Sequence, residues 1–301
     1  MRSHGRGRHH QRGAAILLAL LIASLVATMG ATALVRHWST QRTASVTPLN
    51  MQHRALVSAG LQWAAMVLTD DRQNGEADHL NEAWAAPMLQ DVGPFFGRDV
   101  VMTTRIQDLS AKWNVWLLVS AVHDPNPDPD ANHISIAHII AENVGLPPAR
   151  LVEAATRYSM HHVGSARFIP DSPEACFAWL GLTQEERSLL DPYITCVPEE
   201  YGLNINTVRL DLLAWLEGSD IAKKIGVERA REPFESYEAI GRRLGDDAST
   251  LSFFLFGRPK VGWGVRSKWF TVDSTINYGG VAWRTRQTLK RTTQDIVPIG
   301  P

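Results

Sequence analysis

The first pattern in the chain is a long apolar run near its N-terminus. From residue 14 the sequence continues for about twenty-two residues without a charge, until Arg36. A helix of that length is about 33 Å long, enough to cross a hydrocarbon core of about 30 Å. The residues before the run include four arginines and no acid, which is typical of a flank held in the cytoplasm. The pattern predicts a transmembrane helix over residues 14–35.

The next periodic segment predicts an amphipathic helix. Small and apolar residues recur three and four positions apart from Leu56 to Val67, and the pattern ends near Asp70. Pro48 lies between this segment and the apolar run, and because proline lacks an amide hydrogen we expect a kink or break there.

Alternating apolar and polar positions predict strands in two regions. The first region contains a strand over residues 100–106, a turn at residues 110–112 and a second strand over the apolar run 113–119. The second is a hairpin with strands over residues 270–276 and 281–289, joined by Asn-Tyr-Gly-Gly. The basic face of the last strand is expected to be a solvated, edge-protecting face rather than a binding site.

Residues 121–200 lack this alternation and are expected to be helical. The candidate helices, which glycine and proline separate, are residues 134–144, 148–161, 173–180 and 184–190. Cys176 and Cys196 lie in this region, which the predicted topology places outside the cytoplasm, where disulfides persist. We favour a disulfide, worth roughly 3 kcal/mol for a loop of this size, over two buried free thiols.

Composition and motifs argue against two classes of function. The 301 residues have a formal net charge of −1, so there is no basic excess that would favour nucleic-acid binding. The sequence has no GxSxG, HExxH, CxxC or phosphate-binding glycine-lysine loop. The adjacent pair His161-His162 lacks partners at metal-ligand spacing and is expected to lie at a helix end. We therefore do not expect an enzyme.

One acidic loop is a weak candidate for a cation site. Asp124, Asn126, Asp128 and Asp130 occur at alternating positions, as oxygen ligands do in calcium loops. Prolines occupy three of the intervening positions, and a turn glycine and a terminal glutamate are missing. A rigid, solvated loop into the helical region is the favoured interpretation.

The N-terminus resembles the leader of a type IV prepilin. That leader is short and basic, ends in glycine and precedes a hydrophobic helix that is retained after cleavage. The resemblance implies that prepilin peptidase cuts between Gly13 and Ala14 and methylates the new amino group of Ala14.

Several blocks in order resemble the general secretion pathway protein K family, the K-type minor pseudopilins of type II secretion systems. The blocks are the leader, the apolar helix, AGLQWAAMVL (59–68), NEAWAAP (81–87), IQDLSAKWNVW (106–116), CFAWLGLTQEERSLLDPYITCVPEEYGLNINTV (176–208) and KWFTVDSTINYGGVAWRTRQTLKR (268–291). They cover most of the chain.

The resemblance implies an α+β fold with an N-terminal transmembrane helix, a pilin-like helix packed on an antiparallel sheet, and an inserted all-α domain. The expected parts are the cleaved cytoplasmic leader (1–13), the transmembrane helix (14–35), the pilin-like αβ domain (36–120 and 201–301) and the helical insertion (121–200). A single-pass inner-membrane protein with a periplasmic C-terminal domain follows from this order.

The resemblance also implies partners and a role. Members of this family cap the pseudopilus tip with the I-type and J-type minor pseudopilins and prime its assembly, and other pseudopilins and the prepilin peptidase are further expected partners. Some members bind calcium, but residues 151–162 contain only Glu153 as an acid, so calcium is doubtful there and no cofactor is expected.

Residue 18 bears on the position in the filament. Most pilin-like proteins have glutamate as the fifth mature residue, where it pairs with the N-terminal amine of a neighbouring subunit. Counted from Ala14, the fifth residue is Leu18, which suits a tip subunit that recruits no such partner. Two alternatives stay open, a minor pilin of a type IV pilus and a signal-anchored periplasmic enzyme with an unrecognised site.

Overall fold

The computed structural model describes Thr28 and residues 52–73, 75–96, 100–123, 133–162, 172–199, 201–245, 262–278, 281–292 and 295–299. The chain divides into two units, Met1–Leu56 and Val57–Pro301, and the architecture below is that of the second. None of the helices within the described residues is both long enough and apolar enough to span a membrane. Apart from Thr28, the predicted helix 14–35 lies outside the described residues, as does Pro48, so both expectations stay predictions.

The described elements form a sheet and a helical part. In chain order they are α1 (residues 52–73), η1 (Ala83–Ala85), β1 (Met88–Asp91), α2 (Gly93–Phe96), β2 (Val101–Asp108), η2 (Leu109–Ala111), β3 (Trp113–Asn114), α3 (Trp116–His123), α4 (His133–Asn143), α5 (Arg150–His162), α6 (Pro173–Trp179), α7 (Gln184–Leu190), β4 (Ile194–Thr195), β5 (Leu203–Asn204), α8 (Leu210–Glu217), α9 (Ser219–Arg231), α10 (Tyr237–Leu244), β6 (Trp263–Gly264), β7 (Trp269–Tyr278), β8 (Val281–Arg291) and β9 (Ile296–Ile299).

A five-stranded antiparallel sheet in the order β1-β2-β7-β8-β9 forms the first layer. The predicted hairpin is confirmed, since β7 and β8 pair from Trp269↔Lys290 to Tyr278↔Val281. Strand β2 pairs with β7 along its whole length, although the helical part separates the two in sequence. The helical part is therefore an insertion between two neighbouring strands.

Helix α1 packs on one face of this sheet, which we call the inner face. Ala64 and Leu68 of the helix share a core with Ile106, Phe270 and Leu289 of the strands. The helix approaches closely at Gly60, where an added Cβ would lie 2.5 Å from the Met102 side chain and 2.9 Å from the Thr104 hydroxyl. The expected amphipathic helix followed by strands is confirmed.

The predicted second strand over residues 113–119 is wrong. Only β3 is extended there, and it pairs with β4 in parallel; α3 follows from Trp116. Val115 and Leu118 are completely buried. A short apolar run that is buried on all sides has the same composition in a strand and in a helix, so periodicity does not separate the two.

The helical part is longer than the predicted 121–200. The four predicted helices correspond to α4, α5, α6 and α7, but helices begin at Trp116 and continue to Leu244. Leu212 of α8, Ile225 of α9 and Ile240 of α10 are buried in the same core as α3 to α7. The prediction assigned residues 201–301 as a whole to the αβ domain, whereas α8 to α10 belong to the helical part.

Candidate functional site

Most of the predicted site residues lie outside the described part of the chain. They are Gly13, Ala14, Leu18, Asp124, Asn126, Asp128 and Asp130, and the cleavage, methylation and cation-site interpretations built on them stay predictions. His161 and His162 end α5, as expected.

The two cysteines are joined in a disulfide. Cys176 lies in α6 and Cys196 directly follows β4, with Cα atoms 6.1 Å apart. Both are buried, at 1% and 0% exposure. Because β4 pairs with β3, the bond ties α6 to the short connection that leads from the sheet into the helical part.

A buried polar network lies where the sheet meets the helical part, and we call it the junction network. Asp108, the last residue of β2, is its centre. Its carboxylate accepts hydrogen bonds from the Ser110 amide at 2.7 Å, the Thr207 hydroxyl at 2.5 Å and the Ser267 hydroxyl at 2.6 Å. Burial raises the pKa of Asp108 to about 6, and the hydroxyl donors of Ser267 and Thr207 oppose that rise.

Two asparagines of the sequence GLNINT extend the junction network. The Asn204 amide donates to the Ser267 hydroxyl at 2.7 Å and to the Asp78 carbonyl at 3.0 Å. Asn206 makes a reciprocal pair with the backbone of Phe234, donating at 2.9 Å and accepting at 2.8 Å. Each buried side-chain amide bonds to the backbone of a distant segment. The loop before α8 is therefore bonded both to the segment after α1 and to the helical part.

Asn114 likewise binds the backbone of a distant segment, where the chain enters the helical part. Its side chain donates to the carbonyls of Val197 and Glu199 and accepts from the Val197 amide, at 2.7 to 3.0 Å. Nearby, the buried Tyr201 hydroxyl donates to the Leu109 carbonyl at 3.0 Å, and burial raises the pKa of Tyr201 well above its usual value.

An acidic cluster near the C-terminal end of α1 is connected to the junction network through Ser267. Arg291 donates to Asp78 and, at 2.6 Å, to Asp71. The Ser267 amide also donates to Asp78 at 2.6 Å. Burial raises the pKa of Asp78 although Arg291 opposes the rise. Burial, together with the negative charge of Glu82, raises the pKa of Asp71 as well.

Asp71, Asp78 and Glu82 form a cluster of three carboxylates near the end of α1. Their ligand oxygens lie within 4.8 Å of one another, and carboxylates are the usual ligands of calcium. However, the Arg291 guanidinium already pairs with two of the three carboxylates. We therefore interpret the cluster as a buried ion pair, and no metal is assigned to it.

The junction network holds the helical part in place against the sheet. Every donor that reaches Asp108 is an amide or a hydroxyl that holds it in place, and the group is 5% exposed. Asp108 and Asn114, Asn204, and Arg291 come from three of the sequence blocks, whereas Ser267 directly precedes the last block and Asp78 lies between two others. Sequence reasoning missed their role; the available signal was polar residues inside otherwise apolar blocks.

Three comparisons place the chain among known proteins. No protein-family model matches it. A curated relative, the type II secretion system protein K of Pseudomonas aeruginosa, is 27% identical over 322 aligned residues, which cover 95% of this chain and 90% of the relative. Among solved structures, the chain is similar to one in the GspK-GspI-GspJ complex of the enterotoxigenic Escherichia coli type 2 secretion system, with a TM-score of 0.65 and 16% identity over 86% of this chain and 99% of that one.

The predicted resemblance to the K-type family is confirmed by the relative, and the predicted mixture of helices with an antiparallel sheet is confirmed by the solved structure. Both similar proteins belong to a secretion system, in agreement with the prediction that the chain is not an enzyme.

Proposed function

We propose that this chain is a K-type minor pseudopilin of a type II secretion system, which caps the pseudopilus tip with I-type and J-type minor pseudopilins and primes its assembly. The observation that most strongly supports this proposal is the match to a type II secretion system protein K over 95% of this chain and 90% of the relative. Because the match includes both the pilin-like part and the helical part, it covers the whole architecture rather than the common pilin core.

The place of the helical part in the fold supports the role of a cap. The helical part is inserted between β2 and β7, which are neighbours in the sheet. The junction network ties it to the sheet, and the disulfide joins two segments within it. A bulky insertion would obstruct a further subunit stacking on that side, which supports a terminal place in the filament.

We also propose that the chain is processed and anchored like a pilin. Cleavage after Gly13 would leave Ala14 as the methylated N-terminus of a helix that anchors the protein in the inner membrane, with the remainder in the periplasm. A disulfide is stable in that oxidising compartment, and Cys176–Cys196 supports the location. Leu18 then occupies the position at which most pilin-like proteins have glutamate.

Processing is tested by intact-mass spectrometry of the full chain, expressed with and without a prepilin peptidase. We expect the peptidase to remove the first thirteen residues and to add one methyl group to the new N-terminus. Gly13→Leu is the matched control and should stay uncut, because a bulky side chain obstructs the protease at the scissile bond. An N-terminus that remains at Met1 in the presence of the peptidase would contradict pilin-like processing.

A further inference from the structure

Asp108 has a buried carboxylate with no cation beside it. The residue is 5% exposed, and within the described part of the chain no lysine, arginine or histidine forms an ion pair with it. Burial favours the neutral form of a carboxyl group unless an opposite charge compensates. The three donors that reach the carboxylate are neutral groups, which offset only part of the cost. Burial accordingly raises the pKa of Asp108 from the usual 3.8 to about 6.

The charged groups of the neighbouring elements do not offset this charge. Asp78, which follows α1, is negative and raises the pKa of Asp108 further. Tyr201 is neutral, and burial and the negative charge of Asp108 raise its pKa. The cations of the surrounding elements have other acceptors: Arg291 pairs with Asp71 and Asp78, Lys112 with Asp191, Lys268 with Glu199 and Arg209 with Asp211, and Arg229 and Arg266 donate to backbone carbonyls.

The hydrogen bonds around Asp108 allow two arrangements. In the ionised form the hydroxyls of Thr207 and Ser267 both donate to one carboxylate oxygen, and the Ser110 amide donates to the other. The Thr207 hydroxyl also lies 3.5 Å from the Asn204 carbonyl, a second acceptor. When Asp108 takes up a proton from water, the new O–H can donate to the Thr207 oxygen, and the Thr207 hydrogen can turn to that carbonyl. Both forms therefore satisfy these hydrogens, but only the ionised form has an uncompensated buried charge.

One carboxylate joins three separate parts of the chain at this point. Asp108 ends β2, where the chain leaves the sheet, and Ser267 lies just before β7, where the chain returns to it. Thr207 lies in the loop before α8 of the helical part. A change in the charge of Asp108 therefore acts on the exit from the sheet, the return to it and the helical part together.

We propose that Asp108 is a protonation switch, whose neutral form holds the helical part against the sheet more firmly than its ionised form does. Ionisation leaves a charge that water stabilises better than this buried site does. Local openings that admit water to the carboxylate therefore become more frequent. Such an opening separates Asp108 from Thr207. The switch depends on the fold alone and not on the proposed function.

The direction of the pH dependence follows from the two pKa values. In an opened, hydrated site the carboxyl group has a pKa near the usual 3.8, below the value of about 6 in the closed site. A raised pKa in the closed site stabilises that site below the lower value, and the contribution is lost as the pH rises through the higher one. From about pH 5 to about pH 7.5, the equilibrium constant for closing should fall about 10-fold.

The test is hydrogen exchange of the full chain in detergent, measured by mass spectrometry from about pH 5 to about pH 7.5. The rates are corrected for the pH dependence of intrinsic exchange, and the informative peptides cover residues 203–208 and 266–270. Asp108→Asn supplies a neutral side chain of similar size. Thr207→Val removes one donor to the carboxylate and should raise its pKa. Asp220→Asn is the matched control, because the Asp220 side chain is fully exposed.

In the wild type, the protection of both peptides should fall about 10-fold as the pH rises, with a midpoint at about 6. Asp108→Asn should abolish this response, and Asp220→Asn should keep it. Thr207→Val should move the midpoint to higher pH, which a loss of packing alone would not do. Protection that does not change with pH in the wild type would overturn the proposal. So would an unchanged response in Asp108→Asn, which would assign it to another group, or an unmoved midpoint in Thr207→Val. If Asp108→Asn does not fold, the midpoint of Thr207→Val decides.

Discussion

Replacing Arg291 by alanine is expected to lower the free energy of unfolding by about 3–5 kcal/mol, as removal of one partner of a buried ion pair does. Arg291 pairs with both Asp71 and Asp78, and their side chains are only 12% and 3% exposed. The substitution leaves those carboxylates buried without a cation. It also removes the guanidinium that lies 4.8 Å from the centre of the Phe270 ring.

The measurement is denaturant unfolding of a fragment that lacks the predicted transmembrane segment. Lys223→Ala is the control, because its ion pair with Asp220 is exposed to solvent and should contribute little to stability. A loss for Arg291→Ala no larger than that of the control would show that the cluster does not depend on this arginine.

The loss is expected to shrink in acid. Burial already raises the folded-state pKa values of Asp71 and Asp78, and Arg291 opposes the rise. Without Arg291 these values rise further above the usual 3.8. A carboxyl group with a raised folded pKa favours the folded state below its unfolded pKa, and that contribution is lost as the pH rises through the folded pKa. The deficit of the variant should therefore be largest at neutral pH and decrease toward pH about 4.

Removing the disulfide gives the second large effect. We expect Cys176→Ala with Cys196→Ala to destabilise the protein by about 3 kcal/mol, because the bond closes a loop of about twenty residues in the unfolded chain. For a domain of this size that corresponds to a fall in Tm of about 6–12 °C. The two cysteines join α6 to the segment after β4, so the loss should begin there.

Scanning calorimetry with and without dithiothreitol supplies the control for this experiment. The wild type should lose a similar amount of stability when reduced, and the double variant should not respond to the reductant. Quantitative alkylation of both cysteines in periplasmic protein without reductant would contradict the pairing.

The fold was predictable where one pattern had one interpretation. The strands of the hairpin β7–β8 alternate between polar and apolar positions, so the pattern specified both strands and their antiparallel pairing. Helix α1 has one apolar stripe against the sheet, and its period identified it. The run from Trp113 to Val119 is buried on all sides and has no alternation, so the same residues suited a strand or a helix. The residues after Asn114 form the helix α3, which packs against α4 and α5.

The junction network was not predictable from the sequence, because its residues act only through long-range contacts. Asp108 and Thr207 are 99 positions apart, and Asp108 and Ser267 are 159 apart. A single aspartate, asparagine or serine in an apolar block can form a turn, a helix cap or a buried long-range hydrogen bond, and the sequence alone does not distinguish these. The disulfide was predictable because two cysteines lie in one region that the predicted topology places outside the cytoplasm, and two cysteines leave only one pairing.

The most direct test of the proposed function is co-purification of the full chain with the I-type and J-type pseudopilins of its own organism, followed by mass determination of the complex in detergent. A K-type subunit should yield a stable assembly that contains all three proteins. Recovery of the chain alone, with both partners present, folded and unbound, would contradict its assignment as a minor pseudopilin.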